Sequence, residues 1–281
     1  MMRTKRRIFH FWALIVILFI LVTSIYRCDI DHGLAPLPGT LNLTVYFRNT
    51  PPKNTQGIYL MVAPKFPPHA INEVYHSPNS LPIDQDTVFH QLALPYGHYD
   101  ALALWWYSKD VESNLADVLA IPIDYTSGLK PLGFDITPEK PVVDIQLPVN
   151  WAKVDRDAAI EGTVYFSGPF PKDTDIVAVA AFKSKPVGDV DYLIQLKSLD
   201  FSIKMNQNPY KYRLPVRSGS VGYIAVFWLP EHAGLNEFSI AGEYKSPEDS
   251  TRLGSLRLKP GDVAQNVDIF VEWKKMKRLG E

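Results

Sequence analysis

The chain repeats itself, and that limits its fold more than any other feature. Thr44-Val45-Tyr46-Phe47 recurs as Thr163-Val164-Tyr165-Phe166, and Pro52-Lys53-Asn54-Thr55 as Pro171-Lys172-Asp173-Thr174, both 119 residues later. Leu94-Pro95 returns at Leu214-Pro215, Trp106 at Trp228, Pro138 at Pro260, Val143-Asp144-Ile145 at Val267-Asp268-Ile269 and Trp151 at Trp273, at offsets of 120 to 124. Seven matches in one order with so little drift predict a duplicated domain of about 115 residues. The copies fall at 39–152 and 157–273, joined by a charged link straight after Trp151.

Within each copy the hydrophobic period is two. Leu41, Leu43, Val45 and Phe47 alternate with Asn42, Thr44, Tyr46 and Arg48, and Ile160, Val164 and Phe166 keep the same phase in the second copy. Further strands are predicted in copy one at 58–63, 88–94, 99–107, 118–123, 132–136 and 142–147, and in copy two near 176–181, 210–214, 221–228, 238–241, 256–259 and 267–271. A helical turn or two fits Asp110 to Leu119, where Val111, Leu115 and Val118 share a face. With 23 Pro and 16 Gly between the runs, the expectation is all-β: two tandem seven-stranded antiparallel β-sandwiches of immunoglobulin-like or prealbumin-like type. Disorder and a collagen-like chain are excluded by 46% hydrophobic and 12% aromatic content.

Gly-Thr-Val-Tyr-Phe at 162–166, the Pro-Lys-Asp-Thr turn at 171–174, Val-Ala-Val-Ala-Ala-Phe at 177–182 and a Leu-Pro ahead of the strand ending in Trp228 resemble the carboxypeptidase regulatory-like, or transthyretin-like, β-sandwich family. The resemblance covers both copies. It implies non-catalytic accessory or surface modules. That family's compact Leu-x-x-Gly-x-Tyr hairpin is matched by Leu94 to Tyr99, while copy two departs from it at Leu214 to Gly219.

Ahead of the repeat, Ile8 to Tyr26 forms a 19-residue apolar segment behind Arg3, Lys5, Arg6 and Arg7. As a helix it covers about 28 Å, close to the hydrocarbon thickness of a bilayer. Residues 1–28 therefore read as a basic tip and a signal-anchor with the N-terminus in the cytoplasm, 29–38 as a short stalk, and the rest as extracytoplasmic. A small-x-small cleavage site does not follow directly, and Cys28 stands where bacterial lipoproteins carry their lipidated cysteine, so retention, lipidation and cleavage are the three fates to separate. As the single cysteine, Cys28 rules out an internal disulfide and a Cys-based structural zinc site.

The formal net charge of −1 hides an uneven distribution. Setting aside five bases in 1–27 and four bases with Glu281 in the basic tail 274–281 leaves 20 bases against 29 acids, a net −9 over 28–273. An acidic body repels phosphate backbones, which argues against nucleic acid as a partner.

Chemistry is sparsely signalled. The chain has no Gly-x-Ser-x-Gly elbow, His-Glu-x-x-His, P-loop or dinucleotide fingerprint, so no enzyme and no cofactor is expected. His90, His98 and Asp100 could form a metal-ligand trio across a hairpin, although two ordinary strand-end histidines are the favoured reading. Among the paired aspartates at 84/86, 155/157, 173/175 and 189/191, Asp189 and Asp191 after Gly188 make the best ion site. Asn42-Leu43-Thr44 is a glycosylation sequon lying inside a strand. The remaining candidates are aromatic. If Trp106 and Trp228 face the cores, Trp105 and Phe227 face outward, with Tyr46 and Tyr165 on the outer side of the opening strands. Each could meet a covering element, a protein partner or a sugar ring. The expected function is a membrane-tethered, non-catalytic structural or protein-binding module of a bacterial envelope; the alternative is a carbohydrate-binding module recognising a polysaccharide through these rings.

Overall fold

A computed structural model of the chain describes residues 38–68, 71–109, 113–126, 128–205, 207–233 and 237–278. The chain divides into two compact units, Met1–Pro38 and Gly39–Glu281, and every described residue except Pro38 falls in the second. The segment 8–26, Cys28 and the stalk up to residue 37 lie outside the described residues. No helix among the described residues is long and apolar enough to cross a membrane.

The first half runs β1 (Gly39–Arg48), β2 (Thr55–Ala63), β3 (Tyr75–His76), β4 (Thr87–Leu94), β5 (Gly97–Tyr99), β6 (Ala101–Ser108), β7 (Val118–Ala120), β8 (Ile123–Asp124), β9 (Lys130–Pro131), β10 (Phe134–Ile136) and β11 (Val142–Asn150). The second runs β12 (Ala158–Ser167), β13 (Thr174–Phe182), the helix α1 (Asp189–Gln195), β14 (Leu196–Asp200), β15 (Tyr210–Val216), β16 (Gly219–Val221), β17 (Tyr223–Pro230), β18 (Ser239–Glu243), β19 (Leu256–Leu258), β20 (Val263–Ala264), β21 (Ile269–Glu272) and β22 (Lys277–Arg278). The chain is mostly β, built of stacked sheets in the β-sandwich manner.

In the first half a sheet ordered β11-β1-β4 shares one buried cluster with a sheet ordered β3-β2-β6-β7. In the second, β15-β12-β20 with β21 beside β12 shares another with β14-β13-β17-β18-β22. Alternation decides which side chains enter: Leu41, Leu43, Val45 and Phe47 of β1 are buried against Val143, Ile145, Leu147 and Val149 of β11.

Strictly antiparallel sheets do not describe these sandwiches. The opening strand pairs in parallel with the closing one in both halves, β1 with β11 and β12 with β20 and β21, while β4 and β15 pair antiparallel on the other side. A parallel pair needs a long crossover, and here all the intervening strands supply it. In the second half the closing strand is broken between β20 and β21. There the Asp268 carboxylate accepts a hydrogen bond from the Thr163 N–H at 2.8 Å and the Tyr212 hydroxyl donates to the Val267 carbonyl at 2.6 Å, satisfying groups that the ladder leaves unpaired.

The two halves repeat contacts as well as sequence. The Trp106 indole donates to Thr55 Oγ1 at 2.9 Å and that of Trp228 to Thr174 Oγ1 at 2.8 Å. The N–H groups of Thr55 and Thr174 bond the carbonyls of Pro52 and Pro171. Trp151 stacks on Phe47 and Trp273 on Phe166, with centroids 5.0 and 5.4 Å apart. The repeated Pro-Lys-x-Thr motif is thus the turn that places a threonine under each core tryptophan.

Candidate functional site: an apolar cavity and the buried joint beside it

Along β6, Leu102, Leu104 and Trp106 fill the first core, which turns Ala103 and Trp105 to the opposite face. Along β13 and β17, Ala178, Ala180, Phe182 and Phe227 turn the same way out of the second. These two outer faces border one cavity of about 350 Å³. The alanines leave the space and the rings bound it. Phe227, 5% exposed, meets Phe182, Tyr192 and Phe238 edge-on at centroid distances of 5.7, 6.1 and 6.3 Å. None of the described lining residues is charged, and only Trp105 and Tyr192 carry a polar side-chain atom. Trp105 and Phe227, predicted to face outward, do leave their cores, yet they meet across this shared space rather than presenting flat rings to solvent.

Beside the cavity, the link after Trp151 is partly buried, with Val154 inside and Lys153 and Arg156 half-covered. The Lys153 ammonium donates to the carbonyls of Leu193, Ile194 and Leu196 at 3.2, 2.9 and 2.9 Å, closing the C-terminal end of α1. Burial and the neighbouring Arg156, Lys197 and Lys183 cations push its pKa down to about 8. Arg156 reaches the other way, donating to the Ala116 carbonyl at 3.0 Å with Asp117 at 3.7 Å. Asp117 belongs to a capping box with Asn114 around the short 3₁₀ turn Leu115–Asp117, and burial raises its pKa above the usual carboxylate range. Asn114 also donates to the Leu199 carbonyl at 3.4 Å. Lys153 and Arg156 of the link, through charge-assisted bonds, and Asn114 of copy one, through a neutral one, thus tie the two sandwiches together at a part-buried joint.

A second cavity of about 650 Å³ shares Phe66 and Pro67 with the first and is lined by polar groups including His98, Asp100, Asp124, Lys130 and Asp191. His98 bonds Asp135 at 2.7 Å through Nδ1 and Asp100 at 3.0 Å through Nε2. The hydrogen bond to Asp135 is the main cause of its raised pKa. His90 takes no part in this bonding: it sits half-buried in β4 with Nε2 lacking a hydrogen-bond partner, and burial lowers its pKa. The suggested His90–His98–Asp100 trio is therefore replaced by an Asp–His–Asp arrangement in which both ring nitrogens are engaged. Asp191 is buried in the first turn of α1, where it borders this cavity while one carboxylate oxygen accepts from the Val187 N–H at 3.1 Å and the other from Gln195 Nε2 at 3.0 Å. Asp189 opens the same helix. Among the described residues no group of three or more His, Cys, Asp or Glu is arranged to hold a metal.

Tyr46 and Tyr165 lie on the outer faces of β1 and β12, as the alternation requires. Tyr165, 38% exposed, stacks on Phe270, 69% exposed, at 5.0 Å with 14° between planes. Opposite Tyr46 in the equivalent register stands Pro148. The sequon Asn42 is committed to a cross-strand ladder, donating to Asp144 at 2.8 Å and accepting from Gln91 at 2.9 Å. Lys153, Arg156 and Asp117 were not singled out in the sequence. The available signals were the Asn-x-x-Asp capping pattern at 114–117 and two cations set directly behind the apolar Trp151 and Val154.

No family model matches the chain, so its resemblance to carboxypeptidase regulatory-like domains rests on the short motifs alone. No curated protein matches it either. Among solved structures it is similar to a leucine-rich repeat protein from Bacteroides thetaiotaomicron, with 10% identity and a TM-score of 0.31 over 84% of this chain and 26% of that one. A streptococcal ancillary pilin gives 8%, 0.26, 85% and 63%, and a candidate cell-adhesion protein from Bacteroides fragilis gives 10%, 0.28, 81% and 91%. Overlaps this loose carry nothing about what this chain binds.

Proposed function

We propose that the chain is a membrane-tethered, extracytoplasmic, non-catalytic binding module of a bacterial envelope, in which two sandwich domains, 39–152 and 157–273, act as one rigid scaffold for another envelope protein. The buried joint carries this reading. Lys153 bonds three carbonyls of copy two and Arg156 a carbonyl of copy one, so the copies resist the relative motion expected of domains on a flexible linker. The repeated Trp–Thr and Trp–Phe contacts support the domain division, and the basic, apolar N-terminal segment supports the tether. Protease added to cells with a permeable outer layer should digest residues 29–281 and leave a small membrane fragment. Recovery of a soluble mature chain beginning near Pro36 would refute the tether.

A second reading has its own support. The exposed Tyr165 and Phe270 rings, stacked on one another, leave an apolar aromatic surface against which a sugar ring can pack, and Glu161 and Arg213 are ion-paired on neighbouring strands. Loss of retention on a polysaccharide column in Phe270→Ala, with thermal stability unchanged, would favour carbohydrate over protein.

A further inference from the structure

We propose that the cavity between the two sandwiches takes a single acyl chain. The inference deepens the binding-module reading and rests on it for access to lipid; the chemistry of the cavity carries the rest. At about 350 Å³ the space falls within the range of small-molecule sites and is too small to enclose two turns of a partner helix, which at about 10 Å in diameter fill roughly 800 Å³. An extended peptide would bring an N–H and a carbonyl at every residue. A wall of Ala103, Ala178, Ala180, Phe182, Leu193 and Phe227 offers them no partner, and each unpaired buried polar group costs about 1–3 kcal/mol. A sugar brings still more hydroxyls. A hydrocarbon chain has no polar group to satisfy and gains from every apolar contact with the rings.

The surroundings agree with an amphiphile. The polar cavity begins at Phe66 and Pro67, where the apolar one ends, so a head group can remain among polar side chains while the chain enters. That polar side holds Asp100, Asp124 and Asp191 against Lys130 and His98, an acidic balance that suits a neutral or zwitterionic head better than an anionic one.

The test uses the full chain carrying Trp12→Phe, which removes the one tryptophan of the apolar 8–26 segment, in phospholipid vesicles and reads tryptophan emission, since Trp105 borders the cavity while Trp106, Trp151 and Trp228 are buried in the cores and Trp273 stacks on Phe166. Bromine on an acyl chain quenches only a nearby ring. One arm adds free 9,10-dibromostearate and the other places dibromostearoyl phosphatidylcholine in the vesicles, which separates a free fatty acid from a membrane lipid as the source. The expected result is saturable quenching in at least one arm, lost in Trp105→Phe and shifted about tenfold or more to higher concentration in Ala103→Phe, which fills the space. Leu193→Glu, which sets a carboxylate against the apolar wall, carries the same expectation where Ala103→Phe does not fold. Quenching that persists in Trp105→Phe, or no saturable quenching in either arm, would overturn the proposal, as would an unshifted midpoint in both Ala103→Phe and Leu193→Glu. Release of the chain by alkaline carbonate with Trp105 quenching intact would refute the tether and leave the acyl site standing.

Discussion

Replacing Arg156 by Met should destabilise the folded chain by about 3–5 kcal/mol, the usual cost of removing one partner from a buried ion pair. Burial sets the scale, since desolvation outweighs the Arg156 charge at Asp117 and keeps its pKa raised. Arg156 and Asp117 are 12% and 3% exposed at the side chain and 3.7 Å apart, a separation worth about 4–5 kcal/mol of attraction at an effective dielectric constant near 20. Methionine keeps much of the apolar stem but leaves Asp117 Oδ1, which has no other hydrogen-bond partner, facing an uncompensated site. For a body of this size, 3 kcal/mol lowers the melting temperature by about 6–12 °C. The loss should depend on pH in a defined direction. Burial already raises the Asp117 pKa, so the folded state takes up its proton at a higher pH than the unfolded chain does. Acidification therefore neutralises the orphaned carboxylate, and the Arg156→Met penalty should shrink as pH falls toward the raised value. Urea unfolding followed by tryptophan emission, at pH 7.5 and pH 5, measures both effects. The Arg156→Met/Asp117→Asn double variant should recover at least about 1 kcal/mol of the single loss. A penalty below about 0.5 kcal/mol, or one unaffected by Asp117→Asn, would refute the reasoning.

Lys153 offers a complementary pH test: its pKa near 8 in the fold against 10.5 when free means that only the unfolded chain holds the proton between those values, so stability rises by up to about 3 kcal/mol across that window. Lys153→Met should flatten the rise in a pH series of unfolding curves. Thr174→Val leaves the buried Trp228 indole N–H without its acceptor and should cost about 1–3 kcal/mol, with Thr55→Val close behind because Trp106 makes the same bond. Phe227→Ala, inside a ring cluster, should cost about 3–5 kcal/mol by thermal unfolding, whereas the half-buried Trp105→Ala should cost clearly less.

The sandwich fold was legible because β1 and β12 alternate cleanly and because the duplication doubles each signal. The same alternation separated Trp106 from Trp105 and Trp228 from Phe227. What it could not convey was the cover over the outer face: period two assigns a side chain to a face, whereas the neighbours there come from elsewhere in the chain, Trp105 sharing its cavity with Phe182 and Phe227 of the other copy and Phe227 packing on Tyr192 of a helix that the alternation does not reveal. The joint was hidden for the same reason. Lys153 and Arg156 resemble a solvated link in sequence, and the carbonyls they bond lie about 40 residues away on either side. The helix α1 went unseen because seven residues are too few to display a helical period, and its N-cap is Gly188, which makes no side-chain capping bond. The parallel closing pairs were likewise invisible, since pairing direction leaves no mark on an alternating strand.

The central claim is that the two sandwiches form one rigid body through the buried joint and the faces bordering the cavity. Hydrogen exchange measured by mass spectrometry on the full chain in vesicles tests it most directly, comparing peptides from β2 and β6 with peptides from β13 and β17. The account predicts a single opening free energy for all four strands, lowered equally in both halves by Arg156→Met. Two distinct opening free energies, with Arg156→Met affecting only one half, would contradict it.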